Sequence, residues 1–244
     1  MSKDQKSLDG KRVVLLGGSS GIGLATAKLA SSEGAQVVLV SSSRSKLDDA
    51  LKQLPQGAQG YAVDLTFEDN IKALFEKIGR FDHLMFSAGE NLTLNKLEST
   101  NINQARDFFT LRFWASLAAV KYGAPNINEY GSISLTSGTA NARPGAGWSV
   151  ASVICGAMEG LVRALAVELS PLRVNCVVPG VIRTPLWASL NPTDRDQLYS
   201  NVSANLLVKR VGEPEDVAKA FVYLMTQQFG TGQALVVDGG TLLV

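Results

Sequence analysis

The chain has 244 residues, 45% of them hydrophobic and 23 of them glycine, enough apolar material to bury the core of one α/β domain. A formal net charge of +1, with no long run of one sign, excludes the basic face of a nucleic-acid or anionic-membrane binder and leaves a small molecule as the expected partner. Two cysteines, a polar opening stretch MSKDQKSLDGK and apolar runs broken short of the ~20 residues of a bilayer span predict a cytoplasmic protein with no disulfide framework, no secretory leader and no transmembrane helix.

In chain order, short β-branched runs alternate with segments of helical period. RVVLLG precedes IGLATAKLASSEG, QVVLVS precedes SKLDDALKQL, and YAVDL precedes EDNIKALFEKIG; HLMFSAG, GSISLTS, RVNCVVPG and ALVVDGG follow. Strands that are apolar on both faces and separated by helices predict a parallel sheet covered on both sides. The expected fold is α/β, a single-domain, doubly wound Rossmann-type sheet of about seven strands over residues 1–244. Residues 184–210, broken by Asn191-Pro192, form the one long excursion and read as a substrate lid.

Gly17-Gly18-Ser19-Ser20-Gly21-Ile22-Gly23 follows the first strand and opens the first helix. Glycine there lets the backbone turn tightly and approach a pyrophosphate, whose charge meets the helix's unpaired N–H groups. A tight structural turn is the competing reading, and the absence of a following Gly-Lys-Ser/Thr excludes a phosphate-loop NTPase. After the second strand stand Ser41, Ser42, Ser43 and Arg44, where an acid would select against a 2′-phosphate. Hydroxyls and a guanidinium favour NADP(H), although the serines serve equally well as a polar cap on the next helix.

The Gly-x-x-x-Gly-x-Gly spacing at Gly17, Gly21 and Gly23, Asp64 in AVDLT, SAG at 87–89, PGVIRTP at 179–185 and GQALVVDGG together resemble the short-chain dehydrogenase/reductase family across essentially the whole chain. The resemblance implies that Asp64 and Leu65 hold the adenine and that Ala88 and Gly89 line a ribose. It also implies that the segment opened by Pro179 and Gly180 holds the nicotinamide amide through Ile182 and Thr184. A homodimer or homotetramer built on paired helices near 100–122 and 148–170 is implied as well.

Members of that family reduce carbonyls with a serine and a Tyr-x-x-x-Lys helix. Counting back from LAVEL places the tyrosine position at Ala151, the lysine position at Cys155 and the serine position at Gly138. The proton donor, the group that lowers its pKa and the carbonyl polariser are all missing. Ser137, one residue away, is expected to face elsewhere by strand alternation. A relay asparagine is matched, more loosely, by Arg112.

No other chemistry replaces them. GWSVA lacks the final glycine of a nucleophile elbow, and the one histidine, His83, begins a strand at the edge away from the ligand crevice. No cluster has metal-ligand spacing, so no metal is expected, and Cys155 and Cys176 read as packed apolar residues. Glu90, directly after SAG, and Arg112 are the candidate catalytic pair; surface solvation is the alternative for both. Trp148, Trp187 and Tyr199 are candidate substrate walls, with core packing the alternative for the tryptophans. Two functions stay open. One is an NADPH-dependent reductase of a bulky imine or iminium, in a biosynthetic pathway and joined to cyclisation. The other is a catalytically silent NADP(H)-binding sensor or structural subunit.

Overall fold

The β-branched runs of the sequence become the strands of one sheet in the computed structural model, which describes residues 6–92 and 94–244. Met1–Gln5 of the polar opening stretch and Thr93 lie outside the described residues. The strands are β1 (Arg12–Leu16), β2 (Gln36–Ser41), β3 (Gln59–Ala62), β4 (Phe81–Phe86), β5 (Ile127–Thr136), β6 (Arg173–Pro179) and β7 (Ala234–Val237). All pair in parallel, in the order β3-β2-β1-β4-β5-β6-β7. Val14 sits between Val38 of β2 and Leu84 of β4 in the register. Val13, Val14, Leu15 and Leu16 are all buried, so both faces of the central strand are covered. The strand order reverses beside β1, and such a switch point opens a ligand crevice at the strands' carboxyl ends.

Helical period decides what covers each face. In α3 (Glu68–Ile78), Ile71, Leu74, Phe75 and Ile78 recur at one-face spacing and are buried, and Gly79, with φ 69°, ends the helix. With α5 (Ala115–Gly123) and α6 (Ser149–Glu168) they build the core on one side. On the other side α1 (Gly21–Ser32), α2 (Arg44–Leu51) and α8 (Pro214–Thr226) bury Ala27, Leu47 and Phe221. Each such aliphatic or aromatic side chain contributes roughly 1.5–3 kcal/mol by burial, and Phe75→Ala would cost about 3–5 kcal/mol.

Two elements differ from expectation. Helix α6 runs for 20 residues with a window of mean hydropathy 1.7, so by length and composition it does pass as a membrane span. Its stripe of Ala151, Ile154, Met158, Val162 and Leu165 is instead packed into the core beside β6. The second is the 102–123 helix. α4 (Ile102–Phe109) and α5 are joined by a π-helical turn, Thr110–Trp114, which widens the helix where Arg112 sits.

Residues 184–210 fold as a short 3₁₀ turn, Pro185–Trp187, followed by α7 (Pro192–Asn205). Asn191 caps α7 by accepting from Asp194 N at 2.9 Å, with Pro192 at the first helical position. The segment docks on the loop after β4 through Leu92 N to Leu186 O.

Candidate active site

The glycine loop fits an anion. Gly17 adopts φ 90°, and a Cβ there would lie 2.5 Å from Ala88 N; a Cβ on Gly23 would lie 2.1 Å from Gly17 O. Only glycine lets these three stretches touch. α1 starts without a side-chain cap from Ser20 and without an acid in its first turn. Among the described residues no backbone acceptor meets the N–H groups of Gly21, Ile22 and Gly23, and these residues border a cavity of about 310 Å³. Unpaired donors at a helix N-terminus favour a phosphate.

The carboxyl ends of β2 and β3 follow beside β1, but Ser19, Ser41, Ser42, Ser43, Asp64 and Leu65 do not border the cavity. Ser19 Oγ donates to Ser41 Oγ at 2.8 Å, and Val63 N donates to Ser41 O. Ser43 caps α2 by accepting from Lys46 N, so the capping reading holds for it; Ser42 is exposed. Arg44 differs from expectation. Its guanidinium runs along α2 to Asp48, with Nε–Oδ2 and Nη2–Oδ1 both 3.0 Å, and it does not border the cavity. Lys46, which sequence reading passed over, does. Its place three residues beyond the cap, in the first turn of α2, was the available signal. Asp64 accepts from Thr66 N and Thr66 Oγ1 at 2.9 and 2.7 Å, and the Leu65 side chain is buried in the core.

The cavity joins the ends of β1, β4, β5 and β6 to the face of α6. Ala88, Gly89, Pro179, Gly180, Ile182 and Thr184 border it, as do Gly138, Ala151 and Cys155. The three positions expected for the relay thus border one cavity, and a Cβ on Gly138 would stand 3.1 Å from Cys155 Sγ. No hydroxyl or amine occupies them. Ser137 also borders the cavity, because β5 ends at Thr136 and alternation no longer applies. Its hydroxyl is engaged with Cys155 O at 3.1 Å and Glu159 Oε1 at 3.3 Å. Burial pushes the Cys155 thiol up, away from thiolate character.

Arg112 and Glu90 do meet. The Arg112 guanidinium donates through Nη2 to the Glu90 carbonyl oxygen and lies 4.4 Å over the Phe108 ring, a neighbour four residues back on the helix. It rests on the backbone at Gly89, where a Cβ would come within 2.8 Å of Nη1. Nε stands 3.5 Å from Glu90 Oε2, a charge contact without hydrogen-bond geometry, and both atoms are shielded from solvent without a partner. Burial raises the Glu90 carboxyl above its ordinary range, with Arg112 opposing, and burial likewise lowers the Arg112 guanidinium, with Glu90 opposing. Arg112 faces the main cavity, whereas Glu90 faces an adjoining one.

Trp148 and Trp187 border the main cavity, and Trp187 is also held in place by donating Nε1 to Ile182 O at 3.0 Å. Tyr199 does not border it. Its ring packs with Trp187 and Val211 under the Arg183 guanidinium, 4.3 Å from the ring centroid, because the α7 face that carries it is the one that must be buried. His83 is buried on β4, 2.9 Å from Ser132 Oγ, and burial depresses its pKa to about 4.

Residues 17–241 match the family described as enoyl-(acyl carrier protein) reductase. The chain is 32% identical to a short-chain dehydrogenase/reductase of Gibberella fujikuroi, over 100% of this chain and 98% of that one. It is 35% identical to another from Malbranchea aurantiaca, over 97% and 96%. Among solved structures it is similar to a small-chain dehydrogenase in complex with NADPH, with TM-score 0.86 and 35% identity over 97% and 100% of the chains. It is also similar to the MalC reductase/Diels-Alderase of Malbranchea aurantiaca, with TM-score 0.90 and 33% identity over 98% and 99%. With the fold, the glycine loop and near full-length relatives in agreement, the chain belongs to the short-chain dehydrogenase/reductase family of oxidoreductases.

Proposed function

We propose that this chain is an NADPH-dependent reductase that delivers hydride to a bulky imine or iminium, without its family's tyrosine–lysine relay, in a biosynthetic pathway where reduction is joined to ring formation. The observation that carries the reading is the open cavity of about 310 Å³ at the relay positions. A silent binding protein has no need of space there. That one similar structure holds NADPH, and that another is named for both reduction and a Diels–Alder reaction, supports the cofactor and the coupling.

In this reading the unpaired N–H groups of Gly21, Ile22 and Gly23 hold the pyrophosphate. Lys46, with Ser41 and Ser42, receives the 2′-phosphate, while Arg44 stays along Asp48 and Ser43 caps α2; Asp64 and Leu65 receive the adenine, Ala88 and Gly89 the ribose, and Pro179, Gly180, Ile182 and Thr184 the nicotinamide. Bound NADPH supplies the hydride. Addition to a ketone creates an alkoxide that needs a proton, and no side chain at Gly138, Ala151 or Cys155 gives one. Addition to an iminium carbon, including an imine that enters already protonated on nitrogen, gives a neutral amine, and that need vanishes. Arg112 and Glu90 form a pair whose charges offset one another, so the guanidinium does not leave the cavity with an uncompensated cation. Trp148 and Trp187 supply apolar walls, and residues 184–210 act as the lid.

The test is NADPH consumption with a preformed cyclic iminium and a panel of cyclic imines, alongside NADPH titration. Turnover supports the reductase. Tight NADPH binding without turnover of any imine or iminium replaces it with the silent NADP(H)-binding sensor or structural subunit.

A further inference from the structure

The positions expected for the relay carry no hydroxyl, but the residue after Gly138 does. Thr139 lies just beyond the carboxyl end of β5 and borders the main cavity. The other hydroxyls on that wall are committed. Thr136 Oγ1 donates to Phe86 O at 2.7 Å, Ser137 Oγ to Cys155 O at 3.1 Å and Ser87 Oγ to Leu16 O at 3.4 Å. Ser20 and Thr184 stand at the glycine loop, where Ser20 precedes Gly21 and a Cβ on Gly21 would lie 3.3 Å from Thr184. Thr139 has no side-chain partner among the described residues; it is 9% exposed, and its Oγ1 is not among the atoms sealed from solvent. Its backbone is pinned on both sides. The N–H donates to Pro179 O at 3.2 Å, and the carbonyl accepts from Ala142 N and Arg143 N at 3.1 and 2.8 Å. A largely buried hydroxyl without a partner is costly, and one carried on a fixed backbone at a cavity wall is placed to bond a ligand.

We propose that Thr139 recognises the C=N nitrogen of the substrate: its Oγ1 accepts the N–H of a protonated imine and fixes the orientation of the C=N bond in the main cavity. The inference rests on the reductase reading and narrows the substrate from imines and iminium ions at large to those with a hydrogen on nitrogen. Hydride adds to carbon, the C=N electron pair moves to nitrogen, and the N–H bond stays intact. Thr139 gives and takes no proton. An N-alkyl iminium has no such hydrogen, so on binding it leaves the threonine oxygen unpartnered behind an alkyl group, and a site built around a hydrogen bond rejects the analogue that lacks it. Gly138 suits this placement, since a side chain there would crowd Cys155 and take space beside Thr139.

A cyclic imine and its N-methyl iminium, assayed for NADPH consumption below the imine's own pKa, decide it. With wild type, kcat/KM for the protonated imine is about tenfold above that for the N-methyl compound, as one charge-assisted hydrogen bond provides. Thr139→Val, close in shape but without the hydroxyl, closes that gap by lowering the imine value, and Thr139→Ser, which keeps the hydroxyl, keeps the gap. Equal values for the two compounds in wild type, a comparison that needs no variant, or a Thr139→Val protein that lowers both alike, overturn the assignment. Tryptophan fluorescence of the NADP⁺-loaded protein, titrated with each compound, separates this from the reductase reading. Tighter binding of the protonated imine that Thr139→Val abolishes, without turnover of either compound, upholds Thr139 and sinks the reductase. Turnover of both at equal kcat/KM upholds the reductase and sinks the role of Thr139.

Discussion

The single histidine makes a sharp test of the core. His83 is 4% exposed, lies between β1 and β5 in the sheet and bonds Ser132 Oγ through Nδ1. Desolvation by burial lowers its pKa from 6.5 to about 4; Asp82 opposes this, while Arg173 and Lys11 reinforce it. The folded pKa is depressed, so the unfolded chain binds more protons between these values, and stability falls as pH drops from 6.5 toward 4. The full gap corresponds to about 3 kcal/mol, of which about 2 kcal/mol is already lost at pH 5. Urea unfolding at pH 7.5 and pH 5, compared between wild type and His83→Gln, reads this difference; the variant should lose far less. NMR titration of the lone imidazole gives the same quantity directly. An imidazole titrating near its ordinary value, or equal acid losses in both proteins, would refute the reasoning.

Fluorescence titration should show NADPH bound more tightly than NADH, with Lys46→Ala weakening NADPH roughly tenfold and NADH little, and Arg44→Ala doing less because Asp48 already holds its guanidinium. Equal affinities for the two cofactors would contradict the assignment. Ala151→Tyr should obstruct the main cavity and lower turnover, while Cys155→Ala, which removes a thiol that burial keeps protonated, is tolerated; loss of all activity in the latter would point to a nucleophile. Glu90→Gln should remove ~1–3 kcal/mol of transition-state stabilisation, read as kcat/KM for an iminium. Gly89→Ala should leave the melting temperature within a few degrees, because the flexible end of Arg112 yields, yet alter KM through the displaced guanidinium. Light scattering at micromolar concentration should show a homodimer or homotetramer, since Trp114 and Val153 stand 58% and 59% exposed on the paired helices; a monomer would count against this.

Local spacing carried much of this protein in its sequence. β-Branched runs between helical periods dictated the parallel sheet, because a strand buried on both faces has no polar side to offer. The glycine loop was legible because positive φ and close backbone approach admit no other residue. The shared face of Ala151 and Cys155 was legible too: the two positions are one helical turn apart, so they share a face whatever the helix packs against. What the tertiary structure decided were the choices among partners distant in sequence. Arg44 was free, by sequence, to meet a phosphate, and in the fold it lies along Asp48 while Lys46 reaches the cavity. Tyr199 was free to face a substrate, and the need to bury one side of α7 turned it inward with Trp187. Arg112 and Glu90, 22 residues apart, meet because a π-helical turn and a glycine bring guanidinium and backbone into contact. Periodicity fixes which face a residue occupies, but competing partners for a charge differ by only a few kcal/mol, and the packing of separate segments settles which one is reached.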